Sequence, residues 1–159
     1  MGNGCYGNYG TEGTYGTDGE RVVMNNSSHE FRACVCGVDD GEHAISVGFS
    51  RDPADEHSLD GLIVERGKDP QEDVPGIEGV YVEIPIQRHV VYGGITEASL
   101  RRDSFTLRFD AHAADKMGHL HRIVARFDLP DDEFDRIRHG LRSVFAGCLC
   151  YRETDGTPR

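Results

Sequence analysis

Two cysteine pairs, Cys34-Val35-Cys36 and Cys148-Leu149-Cys150, stand near opposite ends of the patterned part of the chain. If those ends meet, four thiolates would suit a tetrahedral zinc ion, or two disulfides would form. Zinc ribbons and fingers, however, space their ligands two to four residues apart. A CxC step on a strand instead aims both sulfurs at one face with a single residue between them. Cysteine buries readily as a small apolar group, and a cytoplasmic chain favours thiols. The four cysteines therefore read as structural, and no metal or other cofactor is expected.

Histidine offers the next chemistry. His119-Leu120-His121 places two imidazoles beside a strand start, with His112 on a short helix and His139 on a long one. No third ligand follows at a characteristic spacing, and HExxH is absent from the sequence. His139 falls off the apolar stripe of its helix and should face water. Nucleophile signatures are missing too: the chain has no GxSxG elbow, no P-loop and no GxGxxG between a strand and a helix. Cys5 lies in "GNGCYG", a glycine-rich stretch without the rigid support that catalysis requires. The segment "VYVEIPIQRHVVYGGI" supplies an acid, a base and phenols in Glu83, His89, Tyr81 and Tyr92, but at no interpretable catalytic spacing. No catalytic residue is assigned, and an enzyme is not expected.

Elements must position these residues, and period-two alternation defines most of them. Phe31 to Cys36, Ile45 to Phe49 and Leu62 to Arg66 alternate as strands, the first two joined by the turn "DDGEH". Val80, Val82, Ile84 and Ile86 share a strand face opposite Tyr81, Glu83 and Pro85, and the proline suggests a sheet edge or a strand terminus. Val90 to Leu100 reads as one further strand with Gly93-Gly94 at a bulge or bend. Phe105, Leu107 and Phe109 form another, and Ile123, Ala125, Phe127 and Leu129 the last. "AHAADKMG" predicts a short helix. "LPDDEFDRIRHGLRSVFAG" predicts a long one, with Asp131 or Asp132 as N-cap, an apolar stripe at Phe134, Ile137, Leu141, Val144 and Phe145, and Gly147 at its end. The expected fold is α+β: a single antiparallel sheet of about six or seven strands with the C-terminal helix packed on one face, one short helix, and no βαβ crossover.

A chain of 159 residues fits one domain. Residues 1–30 read as a flexible Gly/Tyr-rich tail, 31–150 as the domain and 151–159 as a short polar tail. No apolar run approaches the roughly 18 residues of a membrane span, and the start lacks a secretory pattern, so the expected location is the cytoplasm. The formal net charge of −11 argues against nucleic acid and suits a basic protein partner. Acids gather in four predicted loops or helix starts: Asp39-Asp40-Gly41-Glu42, Asp52 to Asp60 with Asp55-Glu56, Asp69 to Asp73 with Glu72, and Asp131 to Asp135. Solvation and capping account for most of this, and a negative protein-binding patch is the functional alternative.

Tyr81-Val82-Glu83, Tyr92-Gly93-Gly94, Leu100, "SFTLRFD" and "FDLPDDEFDRIRHGLRSVF" follow an opening strand "FRACVCGVDD". In this arrangement the chain resembles the immunity protein family numbered ten of bacterial polymorphic toxin systems. The resemblance spans Phe31 to about Gly147. It implies a small α+β protein that neutralises a cognate toxin by stoichiometric binding, with no enzyme chemistry of its own. The expected partner is a toxin domain, a basic one best matching the acidic composition. The expected contacts are Tyr81, Glu83, Tyr92, Asp39, Asp40, Glu42, Asp55 and Glu56. Two rivals remain: a small metal- or cysteine-dependent enzyme using the CxC pairs or HxH, and an adaptor dimerising through the strand at Val80 to Ile86. Monomer and homodimer both stay open.

Overall fold

The structure is a computed structural model that describes residues 27–51, 61–69, 79–85 and 89–154. Asp55, Glu56, Ile86, Cys5 and the glycine-rich start lie outside the described residues. Alternating β-branched and polar residues build β2 (Val35–Asp40), β3 (Ala44–Ser50), β4 (Gly61–Gly67), β5 (Tyr81–Ile84) and β6 (His89–Tyr92). These pair in chain order as a five-stranded antiparallel meander. A second, mixed sheet is built on the antiparallel trio β7 (Ile95–Arg101), β8 (Ser104–Phe109) and β9 (Leu120–Arg126). It gains a parallel strand at each edge, β1 (Ser27–Arg32) beside β9 and β10 (Tyr151–Glu153) beside β7.

The expectation of a single antiparallel sheet with a long helix laid over it is therefore wrong. The molecule is mostly β, with two five-stranded sheets, two parallel pairings and two helices among the described residues. The chain changes sheet twice within runs that read as continuous strands. In Phe31 to Cys36, the Ala33 N–H donates to Arg126 O of the mixed sheet at 2.7 Å, and the next N–H, of Cys34, donates to Ser50 O of the meander at 2.8 Å. The buried phase slips there: Phe31 and Ala33 are buried, whereas Val35, next in the alternation, is 41% exposed. In Val90 to Leu100, the Gly93 N–H donates to Val80 O in the meander at 3.0 Å, and Gly94 O accepts from Asp110 N of the mixed sheet at 2.8 Å. Both glycines have positive φ, 68° and 70°, so the pair is a crossover between sheets rather than a bulge within one strand.

The core lies where the sheets face each other. Val47, Val64, Val82 and Val91 stand in one register row across β3 to β6, all buried. Phe49 of β3 stacks on Phe105 of β8 at 5.4 Å and on Phe127 at 5.8 Å, joining the layers. Helix α2 (Asp131–Val144) packs on the same inner face of the meander, where a Cβ at Gly140 would lie 2.8 Å from Val38 Cγ2 and 2.9 Å from Val47 Cγ2. Glycine permits that close approach. Helix α1 (Ala111–Lys116) buries Ala113 and Ala114, and its N-cap Asp110 Oδ1 accepts from Ala113 N at 2.8 Å.

The start of α2 also differs from expectation. Its N-cap is Pro130, without a side-chain cap, because the Phe134 N–H donates to Pro130 O at 2.9 Å and so places Asp131 inside the first turn, where it pairs with Arg102 at 2.8 Å. The first-turn acids still complement the helix dipole. At the other end Arg66 of β4 donates to the terminal carbonyls of Val144, at 3.3 Å, and Ala146. Among the described residues no helix is long and apolar enough to cross a membrane.

Candidate partner-binding face

One face of the meander is filled by the core, so period two sends the other outward. Register fixes its membership. Asp39, Ser46, Glu65, Tyr81 and Tyr92 form one row across all five strands, and Gly37, Gly48, Ile63, Glu83 and Val90 form the next. At the usual strand spacing each row is about 19 Å wide.

Among the described residues nothing fills this face at its glycines: a Cβ added at Gly37, Gly48 or Gly67 would meet none of their atoms within 4 Å. Four large apolar side chains are exposed among the described residues, and three of them, Val35, Val90 and Tyr92, belong to this face. Its charged members are Asp39, Glu65 and Glu83, with no lysine or arginine among the described residues that point the same way. The described part of this surface combines a glycine shelf, apolar contacts and a negative field.

Tyr81 and Tyr92 are opposite each other on β5 and β6, with ring centroids 5.0 Å apart and planes tilted by 52°. The Tyr81 hydroxyl donates to Glu83 Oε2 at 2.7 Å. Partial burial, that bond and the neighbouring carboxylates of Glu83 and Glu65 push the Tyr81 phenol well above its ordinary value. Tyr81 is thus a fixed, neutral donor whose ring is braced by Tyr92, as a rigid aromatic anchor should be.

Of the residues expected from sequence, Tyr81, Glu83, Tyr92 and Asp39 come together on this face. Asp40 does not: it follows the opposite parity of β2 and pairs with Lys68. Glu42 sits in the exposed β2–β3 turn. Asp55 and Glu56 lie outside the described residues. Sequence reasoning missed Glu65, Ile63 and the glycine shelf, although the alternation of Leu62 to Arg66 already placed Ile63 and Glu65 on one side of a strand.

The rival chemistries fare differently. Cys36 faces α2, and burial, then repulsion from Glu133 and Cys34, pushes its thiol up to about 12. The cysteines at 34, 36, 148 and 150 form no disulfide, and among the described residues no three His, Cys, Asp or Glu side chains group as metal ligands. His119 lies before β9 in a left-handed turn, φ 67°, beside Asp115, while His121 is within the strand. Strand β5 is paired on both sides, by β4 and β6, which removes the free edge that the dimerising adaptor needs. A cleft at α2 is lined by Phe134, Arg102, Arg138 and Glu153, but both of its arginines are already engaged, with Asp131 at 2.8 Å and Asp135 at 2.6 Å.

A model of the family described as Immunity protein 10 matches residues 31–135. No curated protein and no solved structure matches the chain.

Proposed function

The chain belongs to the Immunity protein 10 family, and from that membership we propose that it neutralises a cognate toxin by one-to-one binding through the outer face of the meander sheet. The observation that carries this reading is the coincidence on one face of three carboxylates and three exposed apolar side chains, with no opposing base among the described residues. Aromatic and apolar contacts supply the desolvated centre of an interface, and the acids supply encounter rate and choice of partner. The partner is a toxin domain with a basic surface, met in the cytoplasm. Tyr81 and Tyr92 are the anchors; Glu83, Glu65 and Asp39 pair with its lysines and arginines.

Neutralisation here is occupancy. A toxin surface covered by a rigid sheet cannot reach its substrate, and no bond is made or broken by the inhibitor. The test is co-expression with the toxin domain encoded beside the gene. Growth should be rescued by the wild-type chain and a one-to-one complex should co-purify. Toxicity unrelieved by a soluble, folded chain would sink the proposal.

A further inference from the structure

The mixed sheet also has an outer face, and its charge is opposite. Register and alternation send Arg32, Arg122, Arg126, Arg108, Arg101 and Arg152 outward from its five strands. These are six of the 17 lysines and arginines in a chain whose net charge is −11. Two glutamates share the face. Glu97 bridges Arg108 at 3.3 Å and Arg152 at 2.5 Å, and Glu30 pairs with Arg126, with Asp103 at the rim.

Three arginines remain without a carboxylate among the described residues. Arg32 and Arg101 are exposed and stand in one register row with Arg126 and Ser104 between them, about 14 Å apart at the usual strand spacing. Arg122 reaches only Ser28 Oγ, at 3.5 Å, and its Nε is buried with no hydrogen-bond partner. A buried guanidinium N–H without an acceptor is costly, and guanidinium forks match carboxylates. The face already binds carboxylates of its own chain, each arginine through a single contact.

We propose that the outer face of the mixed sheet is a second docking surface, which takes an acidic polypeptide segment through Arg32, Arg101 and Arg122. This reading uses neither the residues nor the sign of charge assigned to toxin binding, so the two stand or fall separately. A nucleic-acid backbone fits less well. The face carries no aromatic ring for base stacking among the described residues, and the groups its arginines already hold are the carboxylates of Glu30 and Glu97.

The test is fluorescence anisotropy of a labelled oligoglutamate peptide against the full chain at low salt, with a duplex DNA as the competing probe. The peptide should bind saturably, and an Arg32→Ser/Arg101→Ser variant should weaken binding by about tenfold or more. Arg101→Gln alone should weaken it in the same direction, which covers the case of a double variant that does not fold. Glu65→Gln should leave it unchanged. Absence of saturable binding, an arginine variant that binds as well as the wild type, or duplex DNA held as tightly by the same arginines would each overturn the proposal.

Discussion

Tyr81 and Tyr92 meet ring to ring, 5.0 Å apart, on adjacent strands of the meander's outer face, and Glu83 holds the Tyr81 hydroxyl at 2.7 Å. The pair is therefore rigid before any partner arrives, and little side-chain freedom remains to be lost on binding. Truncating such an anchor removes most of its contact area. We expect Tyr92→Ala, the more exposed of the two, to weaken toxin binding by about 30-fold, roughly 2 kcal/mol, while thermal unfolding changes little. Isothermal titration with the toxin domain, beside a melting curve, checks both.

Two glycines separate the inner from the outer face. A Cβ at Gly48 meets no atom of the described residues, so Gly48→Lys should fold normally and gain strand propensity. Gly140 touches Val38 and Val47, so Gly140→Val should cost about 1–3 kcal/mol through overpacking, despite the weak helix propensity of glycine. Melting temperatures of the two variants should move apart. Equal stability would mean that α2 does not lie on the inner face as described.

Cys36 is held protonated by its burial and by Glu133, its thiol near 12. At pH 8 it should resist iodoacetamide while the exposed Cys34 is labelled, and both should react once the chain is unfolded. Because the unfolded thiol ionises near its ordinary value of 9, its share of stability is complete below that pH and is lost as pH rises from about 9 towards 12. Peptide mapping by mass spectrometry reads the labelling directly.

Strand β10 is tied to α2 by Arg142, whose Nε and Nη2 reach the Glu153 carboxylate at 2.7 and 2.8 Å. That bonding, with the Tyr151 hydroxyl adding a third donor, lowers the Glu153 carboxyl below its ordinary value. Its contribution is complete above the ordinary carboxylate range and is lost as pH falls through the lowered value. Amide exchange at Tyr151 to Glu153 should quicken in Arg142→Ala and should become less sensitive to acid there.

Much of the local pattern was legible. Val80, Val82 and Ile84 bury as their alternation requires, α2 hides Ile137, Leu141, Val144 and Phe145, and His139 faces water. The partition into sheets was not. Alternation states which side of a strand is apolar but not which sheet the strand joins, so two adjacent amides, of Ala33 and Cys34, can bond to different sheets inside one unbroken pattern. Gly93 and Gly94 carried a signal, since paired glycines permit the positive φ of a crossover as readily as a bulge. β10 was hidden because three residues with two charges give no periodicity. The cluster of Tyr81, Glu83, Tyr92 and Asp39 could be named but not assembled, because only register across β2 to β6 brings Asp39 into their row and sends Asp40 away.

The proposed seat of the toxin is the outer face of the meander. Titration of the toxin domain against a folded Gly48→Lys/Glu83→Lys chain probes that seat, since a long basic side chain then fills the glycine shelf and two lysines balance the remaining carboxylates of Asp39 and Glu65, so that the negative field is cancelled. Binding weakened by about a hundredfold or more, with growth rescue lost and the melting curve retained, is the predicted result. A well-folded variant that binds and protects as the wild type does would contradict it.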